Sequence, residues 1–380
     1  MARRKLIVLS LLLAAALPAA AAERSLELRL DEAAPVRIHN LAGTTRLVPG
    51  DGSLVIRASV SADEQGAADD VRLVTRERGG VVEVIVEYPE RISRLRYDGE
   101  EFQRLDARVD YQGRKVRVTS SGGERVRVDL EIAVPADSRL GVHQGVGPVA
   151  AERVRADLGL ATRYGNVSIT DGAGRIRADT GSGRVSVTGF RGDVVADTGS
   201  GAVMIENVLG RVEADTGSGS VELRGIDGDI LADTGSGSVR ITDARAQRVV
   251  VDTGSGGVRL QDVAGALSVD TGSGSVRGEG LVVASDLLVD TGSGGVALEG
   301  DFAAVRKLLV DTGSGSVDLR STAPLSLRID LSSGSGGIRV DVPGLSEVEA
   351  GRRSFRAVIG SGEGTAKVST GSGGIRISAP

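Results

Sequence analysis

The sequence predicts an all-β fold, a parallel β-helix or β-solenoid with rungs of about 18 residues, preceded by a β-rich N-terminal region. Three observations predict it. The string Asp-Thr-Gly-Ser-Gly begins at Asp179, Asp197, Asp215, Asp233, Asp252, Asp270, Asp290 and Asp311, in steps of 18 to 21 residues. Glycine makes up 55 of the 380 residues, about twice the average share, and 45 of those glycines lie in residues 141–380. Between the glycine-rich corners, apolar and polar residues alternate with period two, the mark of strands rather than helices.

The first element is an export segment. Arg3, Arg4 and Lys5 precede an apolar run over residues 6–17, and Pro18 with Ala19 to Ala22 supply small residues before Glu23. That order is the pattern of a secretory signal peptide, with cleavage expected near Ala22. The apolar run is shorter than the ~20 residues a membrane helix needs. Residues 1–22 are therefore expected to be removed, leaving a chain outside the cytoplasm with no transmembrane span: periplasmic, held at the outer surface, or secreted.

Residues 23–140 form the second region. Alternation at 25–30, 36–39, 54–59, 81–87, 116–119 and 126–132 marks strands, and Pro49-Gly50-Asp51-Gly52, Gly79-Gly80 and Ser121-Gly122-Gly123 mark turns. A charged insertion at 88–114 is expected to form a short helix or a loop. The region is expected to cap the open end of the array, because exposed strand edges invite unwanted pairing.

Residues 141–380 are the array. After each Gly-Ser-Gly corner comes a short strand such as Val185-Ser186-Val187, then a second turn such as Gly225-Ile226-Asp227-Gly228, then a strand returning to the next Asp. Eighteen residues leave no room for a crossover helix, so successive rungs must pair in parallel. Val212 and Ala214, Ile230 and Ala232, Val249 and Val251, Val185 and Val187, and Val203 and Ile205 should face inward, with Phe190, Val208, Ile226 and Val263 plugging the second turn. About five apolar side chains per rung cannot offset the entropy of ordering it, so stacking is obligatory. Upstream, Gly147-Pro148-Val149 and Gly165-Asn166-Val167 keep the same phase.

The Asp-Thr-Gly-Ser-Gly corner has two readings. In the first, Gly supplies positive φ, Asp accepts a hydrogen bond from the backbone two residues on, and Thr stacks on the Thr of neighbouring rungs. In the second, the eight Asp carboxylates form a calcium ladder. Parallel rungs stand ~4.8 Å apart, so neighbouring carboxylates repel by roughly 0.9 kcal/mol in water, and calcium would relieve that. Two positions before five of these Asp stand Val195, Leu231, Val250, Leu288 and Leu309, apolar yet outward-facing. Such a stripe is either covered or a surface for a partner or for self-association.

Composition excludes several functions. With no Cys there is no disulfide framework or thiolate metal site. A net charge of −5, 2% aromatics and no basic patch argue against nucleic acid and against aromatic sugar platforms. Only His39 and His143 are available as general bases, each read as a surface or structurally satisfied residue. A catalytic constellation should be singular, whereas the array's residues recur in every rung, so no catalytic residue and no cofactor is assigned. A pocket uniting His143 with carboxylates would reopen the question.

Three segments carry a family resemblance. They are Val36-Arg37-Ile38-His39-Asn40-Leu41-Ala42-Gly43-Thr44, Leu130-Glu131-Ile132-Ala133-Val134-Pro135, and the repeated Thr-Gly-Ser-Gly-x-Val that runs to Gly371-Ser372-Gly373-Gly374-Ile375. In these the chain resembles the bacterial putative-adhesin family, exported β-strand-repeat proteins of largely unknown function. The resemblance spans nearly all of the mature chain and implies the fold more than an activity. The resulting expectation is a non-enzymatic envelope protein that binds a surface protein or glycan. The alternatives are a structural or stress-related periplasmic scaffold and a calcium-binding β-roll.

Overall fold

The computed structural model describes residues 8–9, 22–31, 34–99 and 104–380. The segment expected to direct export, apart from Val8–Leu9 and Ala22, lies outside them, as do residues 100–103 of the charged insertion. The described chain is all-β and builds a β-solenoid with rungs of about 19 residues; its one described helix is Gln65–Asp70. It divides into two compact units, residues 1–201 and 202–380.

In the first unit the rungs pair in parallel and in register. Ile176 to Thr180 lies against Val194 to Thr198, and Val167 to Thr170 against Val185 to Thr188. Alternation sends Val185, Val187, Val194, Ala196 and Phe190 into the core at 0–1% exposure. The coil begins far upstream of the legible repeat. Val36–Ala42 and Thr45–Gly50 form a rung of their own, stacked in parallel on Arg139–Val146 and Val149–Glu152.

Between that rung and the next the chain makes a long excursion. Leu54–Ala62 pairs antiparallel with both Ala22–Leu30 and Glu124–Pro135. Arg72–Arg78 pairs antiparallel with Val81–Glu87, which lies parallel to Val36–Ala42. Every strand expected in residues 23–140 falls inside one of the observed strands. The described part of the charged insertion contains the strands Arg94–Arg96 and Asp106–Tyr111 rather than a helix. Leu95 at 0% and Val109 at 4% exposure hold these strands to the unit. Their burial repeats every second residue, a period the dense charge of the segment hides.

The second unit contains the most regular rungs. Val212, Ala214, Ile230, Ala232, Val249, Val251, Leu267, Leu287, Leu308 and Val310 are all buried, as are Ile226 and Val263 at the second turn. Three rungs run without a break through that turn, as Val239–Thr253, Val258–Thr271 and Val276–Thr291. At the end the order in space departs from the order in sequence. Gly364–Thr370 and Ile375–Ser378 insert, in parallel, between Lys307–Thr312 with Val317–Ser321 on one side and Leu327–Ser333 with Ile338–Asp341 on the other. The hairpin Leu345–Ala350 and Ser354–Ile359 then covers Leu327–Ser333 antiparallel.

Candidate functional site

The repeated corner explains itself structurally, though not by the mechanism its composition suggests. In the second unit the Thr234 hydroxyl donates to the Gly219 carbonyl of the preceding rung at 3.0 Å and accepts from the Gly237 N–H of its own corner, also at 3.0 Å. Thr253, Thr271, Thr291 and Thr312 repeat both bonds. In the first unit Thr180 does the same with Gly165 and Gly183. Each Thr is thus a latch between rungs and not one member of a stack of hydroxyls. The N–H two residues after each Asp does not close an Asx-turn: that of Gly235 donates to the Thr216 carbonyl and that of Gly254 to the Thr234 carbonyl, both at 3.2 Å.

The corner glycines also differ from expectation. None of Gly183, Gly237, Gly256 or Gly274 has positive φ; the left-handed glycines, such as Gly189, Gly225 and Gly228, sit at the second turn. A Cβ at Gly237 would fall on the Gly219 carbonyl oxygen, and one at Gly256 on that of Gly237. Close stacking of carbonyls, not backbone handedness, is what demands glycine there.

The Asp ladder lies outside this latch. In the second unit Asp215, Asp233, Asp252, Asp270, Asp290 and Asp311 stand in register on the outward face. Partial burial and then the neighbouring Asp252 raise the Asp233 pKa; burial, Asp252 and Asp290 do the same for Asp270. In the first unit Asp179 and Asp197 are paired, and burial followed by Asp197 raises Asp179. Among the described residues no group of three or more His, Asp or Glu side chains converges as a metal cage. The apolar stripe is half-exposed: Leu231, Val250, Ser268, Leu288 and Leu309 form one column of the second unit, and Leu309 is 36% exposed. Val195 ends a column of the first unit.

That column of the first unit is different in kind. It reads Arg37, Gly141, Gly159, Arg177, Val195, and the adjacent outward column reads His39, His143, Ala161, Asp179, Asp197. Three small residues, Gly141, Gly159 and Ala161, make a bare floor. Over it runs a groove of about 780 Å³ lined also by Arg37, His143, Arg177 and Asp179, with Arg139, Asp157, Arg175 and Asp193 along one rim. A second depression of about 750 Å³ shares His143, Ala161 and Asp179 and adds Tyr111, Arg163 and Tyr164.

His39 and His143 stack, with ring centroids 5.2 Å apart and planes 13° from parallel. Burial, then the neighbouring His143, lowers the His39 pKa, Arg37 adding to this and Glu83 opposing it. Burial and then Arg37 lower that of His143, against Asp179. Both shifts favour the neutral ring. The groove therefore does bring His143 together with carboxylates, the circumstance that reopens catalysis. Ala161 separates His143 from Asp179 in the column, however, and no carboxylate hydrogen-bonds either imidazole among the described residues. Acid–base catalysis at His143 would call for such an orienting partner and a nucleophile beside the ring.

Residues 112–378 match the Toastrack DUF4097 family. The chain belongs to that family. Two solved structures are similar to this Toastrack chain. One is a putative cell adhesion protein from Clostridium sporogenes, at 8% identity and TM-score 0.18, covering 94% of this chain and 100% of that one. The other is a putative lipid binding protein from Parabacteroides distasonis, at 14% identity and TM-score 0.31, covering 78% and 96%. Likeness at these scores carries no functional argument. No curated protein matches the chain.

Sequence reasoning placed the Toastrack chain's Asp ladder and apolar stripe but missed the groove. The signal was present: Leu140-Gly141-Val142 and Leu158-Gly159-Leu160 put glycine at an outward position in mid-strand, two residues before His143 and Ala161.

Proposed function

We propose that this Toastrack protein is an exported, non-enzymatic binding protein of the cell envelope, adhesin-like in that it presents strand faces to a surface protein or glycan. The observation that carries the reading is the groove over Gly141, Gly159 and Ala161, where side chains are withdrawn from an otherwise furnished sheet face. Glycine inside a strand weakens it, and one of its recurrent uses is to let a ligand or another backbone approach closely. A binding role needs neither cofactor nor catalytic residue, and calcium at the Asp ladder would be structural if present. The basic-apolar start of the sequence supports export, with mature chains beginning near Glu23. The half-exposed column of the second unit supports a further contact, including self-association.

Cell fractionation with crosslinking and pull-down tests the reading. The expected result is a chain outside the cytoplasm, crosslinked to an envelope component, with the crosslink lost in Arg177→Gln. A periplasmic chain whose crosslinks ignore Arg177 would favour the scaffold instead. Size exclusion with light scattering addresses self-association: a monomer removes it.

A further inference from the structure

The two kinds of glycine in this chain differ in whether the fold needs them. A side chain at Gly183 would strike the Gly165 carbonyl, so the fold has no alternative there. At Gly159 nothing lies within 4 Å of where a Cβ would be, and at Gly141 the nearest atom is Cγ of Arg37, at 3.7 Å. Neither has positive φ. Both sit in the middle of strands, Arg139–Val146 and Asp157–Tyr164, on the outward face. Glycine there weakens the strand relative to Ala and gains nothing sterically. What it leaves is a flat strip of backbone that other molecules can reach.

The surroundings of that strip define what fits. Arg37 and Arg177 stand in the same column three rungs apart, about 14 Å at the usual strand spacing, with the two glycines between them. Arg177 has no hydrogen-bond or ion-pair partner among the described residues, and Arg37 makes only a loose contact to Glu83 at 3.5 Å. Along the rim Arg139, Asp157, Arg175 and Asp193 alternate in charge. The backbone groups of both glycine-bearing strands are committed to ladders on either side, so an added peptide would find no backbone partners. The rim has no Trp, Tyr or Phe for an uncharged sugar to stack on. A polyphosphate would meet the rim carboxylates with no proton to donate.

We propose that this groove receives an acidic glycan, lying along the stacking direction with sugar faces over Gly141 and Gly159 and carboxylates on Arg177 and Arg37. Guanidinium groups take carboxylates in bidentate pairs, while sugar hydroxyls donate to the rim carboxylates of Asp157 and Asp193. A pyranose ring is about as long as one rung is thick, so successive sugars meet successive strands. This inference rests on the binding reading above and names its ligand class.

Calorimetric titration of the full chain with oligogalacturonate, neutral dextran oligosaccharide and inorganic phosphate tests it. Saturable, salt-weakened binding of oligogalacturonate alone is expected. Gly159→Val should weaken it at least about tenfold while the melting temperature stays level or rises, and Arg177→Gln should weaken it about tenfold. Absence of saturable binding, binding indifferent to both substitutions, or equal binding of phosphate would each overturn the glycan assignment. If oligogalacturonate fails but Gly159→Val still abolishes the envelope crosslink, the ligand class is wrong and the binding site stands. If the crosslink survives Gly159→Val as well, both readings fall.

Discussion

The two units use the same rung for different ends. In the second unit the outward columns are monotonous, Asp beneath Asp from Asp215 to Asp311 and mostly aliphatic residues from Leu231 to Leu309. In the first unit the corresponding columns are mixed, running through Arg37, Gly141, Gly159 and Arg177 and through His39, His143, Ala161 and Asp179. Inside, the units are alike, with the core Val, Ile, Leu and Ala packed at 0–8% exposure. Repetition reports what the coil needs to stand, and departure from repetition on an outward face reports what one place is for.

The sharpest way to break this contrast is to exchange the roles of its glycines. Gly237→Val drives a side chain into the Gly219 carbonyl and should cost about 3 kcal/mol, read as a fall in melting temperature. Gly159→Val, which meets open space, should cost nothing or stabilise the strand. If both destabilise alike, the distinction between structural and vacant glycines is lost.

Next in size is the latch. Thr234→Val strands the Gly237 N–H and the Gly219 carbonyl and should cost about 1–3 kcal/mol, whereas Thr234→Ser should be milder. Nature supplies that control in the second unit, where Ser333 donates to the Gly373 carbonyl at 2.9 Å and accepts from the Gly336 N–H at 2.8 Å.

The response to acid should then separate the histidine pair of the first unit from the Asp ladder by sign, with Asp179 of the first unit following the ladder. His39 and His143 have pKa values below the ordinary 6.5. The unfolded chain therefore binds more protons as pH falls below about 6.5, and the first unit loses stability there. Replacing both histidines with Gln should flatten that loss. Asp233 and Asp270 have pKa values above 3.8, so the folded second unit takes up protons more readily. It gains stability as pH falls through those raised values, and Asp233→Asn should stabilise it at pH 7 by a few tenths of a kcal/mol. Hydrogen exchange followed unit by unit across pH 7 to 4 measures both trends; trends of the same sign would remove this part of the contrast.

Much of the coil was legible because its period is short and uninterrupted. Val212 with Ala214, Ile230 with Ala232 and the turn plugs Phe190 and Ile226 are buried where alternation puts them. The rung at Val36–Ala42 and Thr45–Gly50 was not, since its partners begin near Arg139 and a long excursion destroys the phase. The Thr latch escaped because it links residues 15 to 18 apart, a relation that appears only once the rungs are stacked. The groove was hidden by abundance. Two mid-strand glycines do not stand out among 55 until the corner glycines have been explained by carbonyl contact.

The late insertion of Gly364–Thr370 between Lys307–Thr312 and Leu327–Ser333 has a consequence in time. A chain emerging N-terminus first makes both flanking strands before the one that joins them. Until residues 364–370 arrive, two facing edges stay open, each a template for pairing with other chains. A strand made after both of its neighbours is the keystone of the second unit, and a chain interrupted before it is left with a seam rather than a blunt end.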